Sequence, residues 1–214
     1  YSPMSVYRFK KAAVLGAGVM GAQIAAHLAN AGVPVVLFDL PADGKDKNAI
    51  VNKALANLGK LSPSPLASKA LVNNIQAGNY DEHLALLADC DVIIEAIAER
   101  LDWKKSLYAK ILPFVGPKAI LASNTSGLSI NALSEVLDES LHHRFCGLHF
   151  FNPPRYMHLV ELIPCAKSDV DVLTSLETFL VSTLGKGVVY AKDTPNFIGN
   201  RIGAGMADDD KQRA

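Results

Sequence analysis

The run GAGVMG, carrying Gly16, Gly18 and Gly21, stands between the apolar stretch AAVL and the helical stretch AQIAAHLANAG. A G-x-G-x-x-G fingerprint in that position closes a strand, makes a tight turn and opens a helix, which leaves few folds open to the chain. Gly16 permits the turn. Gly18 removes the Cβ that would hold a pyrophosphate away from the backbone, and Gly21 lets the helix pack closely on the strand. The helix then presents its unpaired N–H groups to the phosphates. A second apolar stretch, PVVLFD, ends on Asp39, near the spacing of about 20 residues at which a carboxylate accepts both ribose hydroxyls of a dinucleotide. Asp39 repels a 2′-phosphate, and Leu40 and Pro41 supply no guanidinium to accommodate one, so the expected cofactor is NAD and not NADP.

The pattern continues along the chain. DVIIEAI and AILASN are strand-like runs, and WKKSLYAKILPF reads as a helix between them. Alternation of this kind predicts an α/β protein: a Rossmann, doubly wound, mostly parallel sheet with helices on both faces. Further strands are expected at FCGLHF, LVELI and GVVYA. The polar stretch 41–69, with Pro63 and Pro65, reads as a helical excursion between the second and third strands. Its Lys45, Lys47, Lys53, Lys60 and Lys69 form a solvated face or meet an anionic ligand. Residues 1–8 read as an N-terminal extension, 9–193 as the NAD-binding Rossmann domain, and 194–214 as the truncated start of an all-helical second domain.

Composition narrows the partners. Lys and Arg number 21 against 21 for Asp and Glu, with no basic face for nucleic acid. The apolar runs fall well short of the ~20 residues that span a bilayer, so no membrane partner is expected. Cys90, Cys146 and Cys165 are scattered, without a CxxC pair or a nearby His, so neither a disulfide framework nor a metal site is signalled. A reducing cytoplasmic compartment fits that usage. His27, His142, His143 and His158 lack ligand-like spacing and read as structural.

Four segments then follow in order: EAIAERLDWKK, ASNTSGLSI, GLHFFNPPRYMHLVEL and DTPNFIGNR. The combination of HFFNP, LVE and DTPNFIGNR resembles the 3-hydroxyacyl-CoA dehydrogenase family, and the resemblance covers nearly the whole chain. It implies a His–Glu pair at His149 and Glu161, a substrate-contacting Ser126, Asn200 near a thioester, and cofactor contacts from Glu99, Lys104 and Asn152. It implies as activity the NAD-dependent oxidation of (S)-3-hydroxyacyl-CoA to 3-oxoacyl-CoA in fatty-acid β-oxidation, with acyl-CoA as the substrate partner. It also implies a homodimer formed through a helical domain. After HFFNP this chain has PPRYMHLVELIP where many relatives have a Val-rich stretch, a version associated with longer bacterial relatives that carry an enoyl-CoA hydratase-like region.

Chemistry supports the same placement independently. Oxidising a secondary alcohol needs a base for the hydroxyl proton while hydride leaves for the nicotinamide. His149 follows an apolar strand, and ligands of doubly wound sheets bind at the carboxyl ends of strands. A buried Glu161 in the next strand would need a partner, and an imidazole is the natural one. Other readings stay open for single residues: Ser126 contacts substrate or caps the following helix, Asn152 bonds the cofactor or braces its loop, and Glu99 and Lys104 serve the cofactor or are charges on a helix's opening turns. Two other functions compete: a non-catalytic NAD-binding relative and another β-hydroxyacid dehydrogenase.

Overall fold

In a computed structural model, which describes residues 8–193, β1 (Ala12–Leu15) is buried on both faces. Ala12 and Val14 enter one apolar layer and Ala13 and Leu15 the other, which is why the segment reads as unbroken hydrophobic sequence. The turn at Gly16–Gly18 leads into α1 (Val19–Asn30), whose small residues Ala22, Ala25, Ala26 and Ala29 are almost wholly buried against the sheet. After β2 (Val35–Asp39) the expected excursion holds α2 (Ala49–Leu58), and all five of its lysines are exposed.

The chain then makes a strand that its sequence conceals, β3 (Ile75–Asn79), reading IQAGN. It lies at the sheet's edge beside β2, where one face needs no apolar side chains and alternation loses its meaning. There follow β4 (Val92–Glu95), α3 (Leu101–Ile111), β5 (Ile120–Ser123), α4 (Ile130–Glu135) and β6 (Phe145–Phe150). The chain continues with β7 (Leu159–Pro164), α5 (Val170–Ser182) and β8 (Gly187–Tyr190).

The eight strands stand in the order β3-β2-β1-β4-β5-β6-β7-β8. The strands from β3 across to β6 pair in parallel, β7 runs antiparallel to β6, and β8 runs parallel to β7. The doubly wound, mostly parallel sheet is therefore the one expected. Helices α1, α2 and α5 cover one face over a core of Ile24, Leu28, Leu37 and Leu176, while α3 and α4 cover the other over Phe38, Tyr108, Leu121 and Phe145. The strand order reverses between β1 and β4, and that crevice, at the carboxyl ends of the strands, is where such sheets bind ligands. Among the described residues no helix is long and apolar enough to cross a membrane.

Candidate active site at the carboxyl ends of the strands

The three glycines do different work. Gly16 has φ +106°, and a Cβ there would stand 2.6 Å from the Ala96 carbonyl oxygen, so both conformation and space demand glycine. A Cβ on Gly21 would lie 1.7 Å from the Gly16 carbonyl oxygen, the close helix–strand contact that the fingerprint predicts. A Cβ on Gly18 would meet nothing within 4 Å. Gly18 is also the N-cap of α1, with no side-chain cap and no acidic residue in the first turn, so the helix N-terminus faces that open space. Asp39 Oδ2 accepts from Ala17 N at 2.8 Å and Oδ1 from Leu40 N at 2.6 Å, which fastens the end of β2 to the glycine turn. A cleft of about 580 Å³ opens beside them, lined by Gly16, Gly18, Asp39, Tyr80, Ile97 and Trp103.

Across the sheet, His149 and Glu161 are register partners on the antiparallel strands β6 and β7. His149 Nδ1 stands 3.1 Å from Glu161 Oε1. The imidazole is 21% exposed and the carboxylate 36%, so Glu161 keeps contact with solvent instead of being buried as its strand position suggests. Phe151 packs its ring 4.7 Å from the imidazole. With Nδ1 turned to the carboxylate, Nε2 is the nitrogen left for a ligand.

The loop after β5 carries Ser126. Glu99 holds it: Oε1 accepts from Thr125 Oγ1 at 2.6 Å, Ser126 N at 2.9 Å and Gly127 N at 3.2 Å. The cap of α4 is Ser129, which accepts from Ala132 N, so the Ser126 hydroxyl is not spent there. Lys104 is buried, with Nζ 2.5 Å from Glu95 Oε2 and 3.7 Å from Glu99 Oε2. Asn152 is exposed on the loop after β6, and Asn200 lies outside the described residues.

Three residues that sequence reasoning passed over also shape the site. Asn124 Oδ1 accepts from Phe150 N at 2.8 Å, tying the end of β5 to the residue beside His149. Asp193 accepts from Ser129 Oγ, Ile130 N and Asn131 N at 2.6–2.8 Å, which ties it to the start of α4. Glu95, read as part of an apolar strand, is a buried carboxylate, and a charge ending such a run was the one signal of a polar network beneath it.

Residues 11–194 match the family described as 3-hydroxyacyl-CoA dehydrogenase, NAD binding domain. The chain belongs to that family. It is 48% identical over 195 residues to a putative fatty acid oxidation complex trifunctional enzyme of Rickettsia felis, spanning 91% of this chain and 27% of that protein. It is 45% identical over 197 residues to a probable 3-hydroxyacyl-CoA dehydrogenase of Deinococcus radiodurans, 92% of this chain and 57% of that one. The crystal structure of (S)-3-hydroxybutyryl-CoA dehydrogenase from Ralstonia eutropha superposes with a TM-score of 0.73 at 31% identity, covering 89% of this chain and 66% of the other. The chain thus spans between about a quarter and three fifths of the length of these two sequence relatives.

As a domain of 3-hydroxyacyl-CoA dehydrogenases, it has residues that fit NAD. Gly18 leaves open space for a close-approaching group, the uncapped helix N-terminus faces it, and Asp39 lines the cleft at the end of β2 with no cationic neighbour in Leu40 or Pro41.

Proposed function

We propose that the chain oxidises (S)-3-hydroxyacyl-CoA to 3-oxoacyl-CoA in fatty-acid β-oxidation, as part of a longer protein, with His149 as general base. The observation that carries this reading is the His149–Glu161 hydrogen bond, formed at the carboxyl end of β6 beside the Ser126 loop. Bound NAD supplies the hydride acceptor. His149 Nε2 takes the proton of the substrate hydroxyl, and Glu161 holds the ring in the needed orientation and stabilises the imidazolium that results. The Ser126 hydroxyl and the Asn200 amide hold the substrate hydroxyl and the thioester carbonyl. Asn152 bonds the cofactor, and Glu99 serves it with Lys104 held beneath.

The same reading places the protein in the cytoplasm, consistent with three buried free thiols, and makes it a homodimer through a helical domain. The name of the Rickettsia relative, a fatty acid oxidation complex, supports the pathway. The test is acetoacetyl-CoA reduction followed by NADH consumption, run on this chain and on the full-length protein, each with and without His149→Ala. Turnover that depends on His149 in the full-length protein supports the reading, and NADH binding without turnover there makes the protein a silent binder.

A further inference from the structure

A polar cluster is sealed inside the domain beneath the cleft wall at Ile97 and the start of the Ser126 loop. Glu95, the last residue of β4, is 0% exposed, and Lys104, Tyr108 and Ser123 around it are buried too. Its Oε2 accepts from Lys104 Nζ at 2.5 Å and Ile97 N at 2.9 Å, and its Oε1 from Tyr108 hydroxyl at 2.6 Å and Ser123 Oγ at 2.7 Å. Burial pushes the Tyr108 phenol well above its ordinary range, with the Glu95 charge adding to it, so the phenol remains a donor.

The donors come from different elements. Ile97 belongs to the cleft wall, Lys104 and Tyr108 to α3, and Ser123 to β5, where its Oγ in turn lies 3.3 Å from Thr125 N. Lys104 therefore stands between two carboxylates, tightly on the sealed Glu95 and 3.7 Å from the half-exposed Glu99. Glu99 is meanwhile occupied with Thr125, Ser126 and Gly127. Stability alone does not call for this arrangement, because replacing buried ions with apolar residues of similar volume is often neutral or stabilising. An apolar residue cannot, however, decide where an ammonium goes.

We propose that Glu95 is a positioning residue: it holds the Lys104 ammonium below the surface, which leaves the Glu99 carboxylate to the Ser126 loop, and it fixes that loop and the cleft wall in one frame. The inference rests on the reading of Ser126 and the cleft given above, but its readouts do not require turnover, so either can fail without the other.

The variants are Glu95→Gln, Lys104→Met and the double substitution. The measurements are NADH affinity by fluorescence, the thermal midpoint, and amide exchange at Ser126 and Gly127 against Val14 in β1. In Glu95→Gln, Glu99 becomes the only carboxylate within 4 Å of the ammonium among the described residues and is drawn off the loop. Exchange at Ser126 and Gly127 then rises roughly tenfold more than at Val14, the scale of one lost charge-assisted hydrogen bond, and NADH binds more weakly. Lys104→Met leaves Glu95 buried without its cation and lowers the midpoint most, with less loss of protection at Ser126 and Gly127. The double variant removes both charges, so protection at these two amides and NADH affinity return toward the parent even though the midpoint stays low. A double variant as deprotected there as Glu95→Gln overturns the proposal, and so does a rise in exchange spread evenly along the chain. Should Glu95→Gln not fold, Ser123→Ala takes its place by cutting the link from Glu95 to Thr125. Faster exchange confined to Thr125, Ser126 and Gly127 supports the proposal, and no local change overturns it.

Discussion

The glycine turn after β1 and the His149–Glu161 pair across β6 and β7 sit at the same end of the sheet, yet they are built on opposite terms. The turn is made of missing side chains: its geometry depends on Cβ atoms that are absent at Gly16 and Gly21, and the open space beside it on the one absent at Gly18. The pair is made of side-chain nitrogen and oxygen, set opposite each other by strand register and steadied by bonds such as Asn124 to Phe150 N. Adding atoms at Gly16 or Gly21 should break the first region and leave the second standing, while removing a polar group should do the reverse.

The largest effect is expected at His149. Its replacement by Ala should lower turnover of the full-length protein by ~10²–10⁴-fold, the usual contribution of a general base, and leave NADH affinity unchanged. Glu161→Gln should cost less, because the imidazole remains. Steady-state rates and NADH titrations on one preparation decide the matter. Parallel loss of NADH affinity would show that the two regions are not separable.

Gly21→Ala tests the other side. Its Cβ would fall 1.7 Å from a backbone oxygen, which no rotamer can relieve, so α1 must shift against β1. A loss of about 1–3 kcal/mol in denaturant unfolding is expected, the range for overpacked sites, together with weakened NADH binding. A stable variant that still binds NADH would mean that α1 can shift against β1 at little cost.

How legible each region is follows from the same contrast. Missing side chains at fixed spacing are written directly in the sequence, so the turn, Asp39 and the strands around them can be read without tertiary information. His149 and Glu161 are readable as residues, but their pairing depends on the antiparallel register of β7, which residue types do not encode. Glu95 was hidden because burial is decided by what α3 lays over it, and for the same reason the sequence left Lys104 as a cofactor contact or a helix-turn charge and gave no sign that it is buried. IQAGN failed to announce β3 because a polar edge strand has no apolar alternation to show. Asp193 lies in a segment that marks the family, yet its three bonds to the start of α4 join residues more than sixty positions apart.

The two regions also treat their histidines differently. His149 meets a carboxylate, whereas His27, in α1, is partly buried with Nε2 3.2 Å from the Leu184 carbonyl oxygen and Nδ1 without a hydrogen-bond partner among the described residues. Burial, and then the nearby Lys186 charge, lowers the His27 pKa to about 4. The folded value lies below the ordinary one of about 6.5, so between these values the unfolded chain binds the proton and the fold does not. Stability is therefore full above that window and falls as pH drops through it, by about 2 kcal/mol once the ring's partial exposure is allowed for. Urea unfolding at pH 7 and pH 4.5 should show the fall, and His27→Gln should reduce it. A pH dependence unchanged by that substitution would assign the loss to other groups.

The smallest effect on the fold is expected at Gly18, and it separates the two meanings a glycine can have. Gly18 lies three residues from Gly21 in the same motif, but its φ of −74° and ψ of −169° are open to any residue, and an added Cβ meets nothing within 4 Å. Gly18→Ala should therefore leave stability within about 0.5 kcal/mol of the parent, or raise it slightly through reduced freedom of the unfolded chain. The open space is where the backbone must come close to the pyrophosphate, so the same methyl group should weaken NADH binding by roughly tenfold or more, the loss of good helix-terminus contacts to an anion. A thermal midpoint that holds while NADH affinity drops would mark Gly18 as a glycine kept for the ligand and Gly21 as one kept for the fold. A midpoint that falls as far as in Gly21→Ala would erase that distinction. Unchanged NADH affinity would mean that the phosphates seat elsewhere along α1.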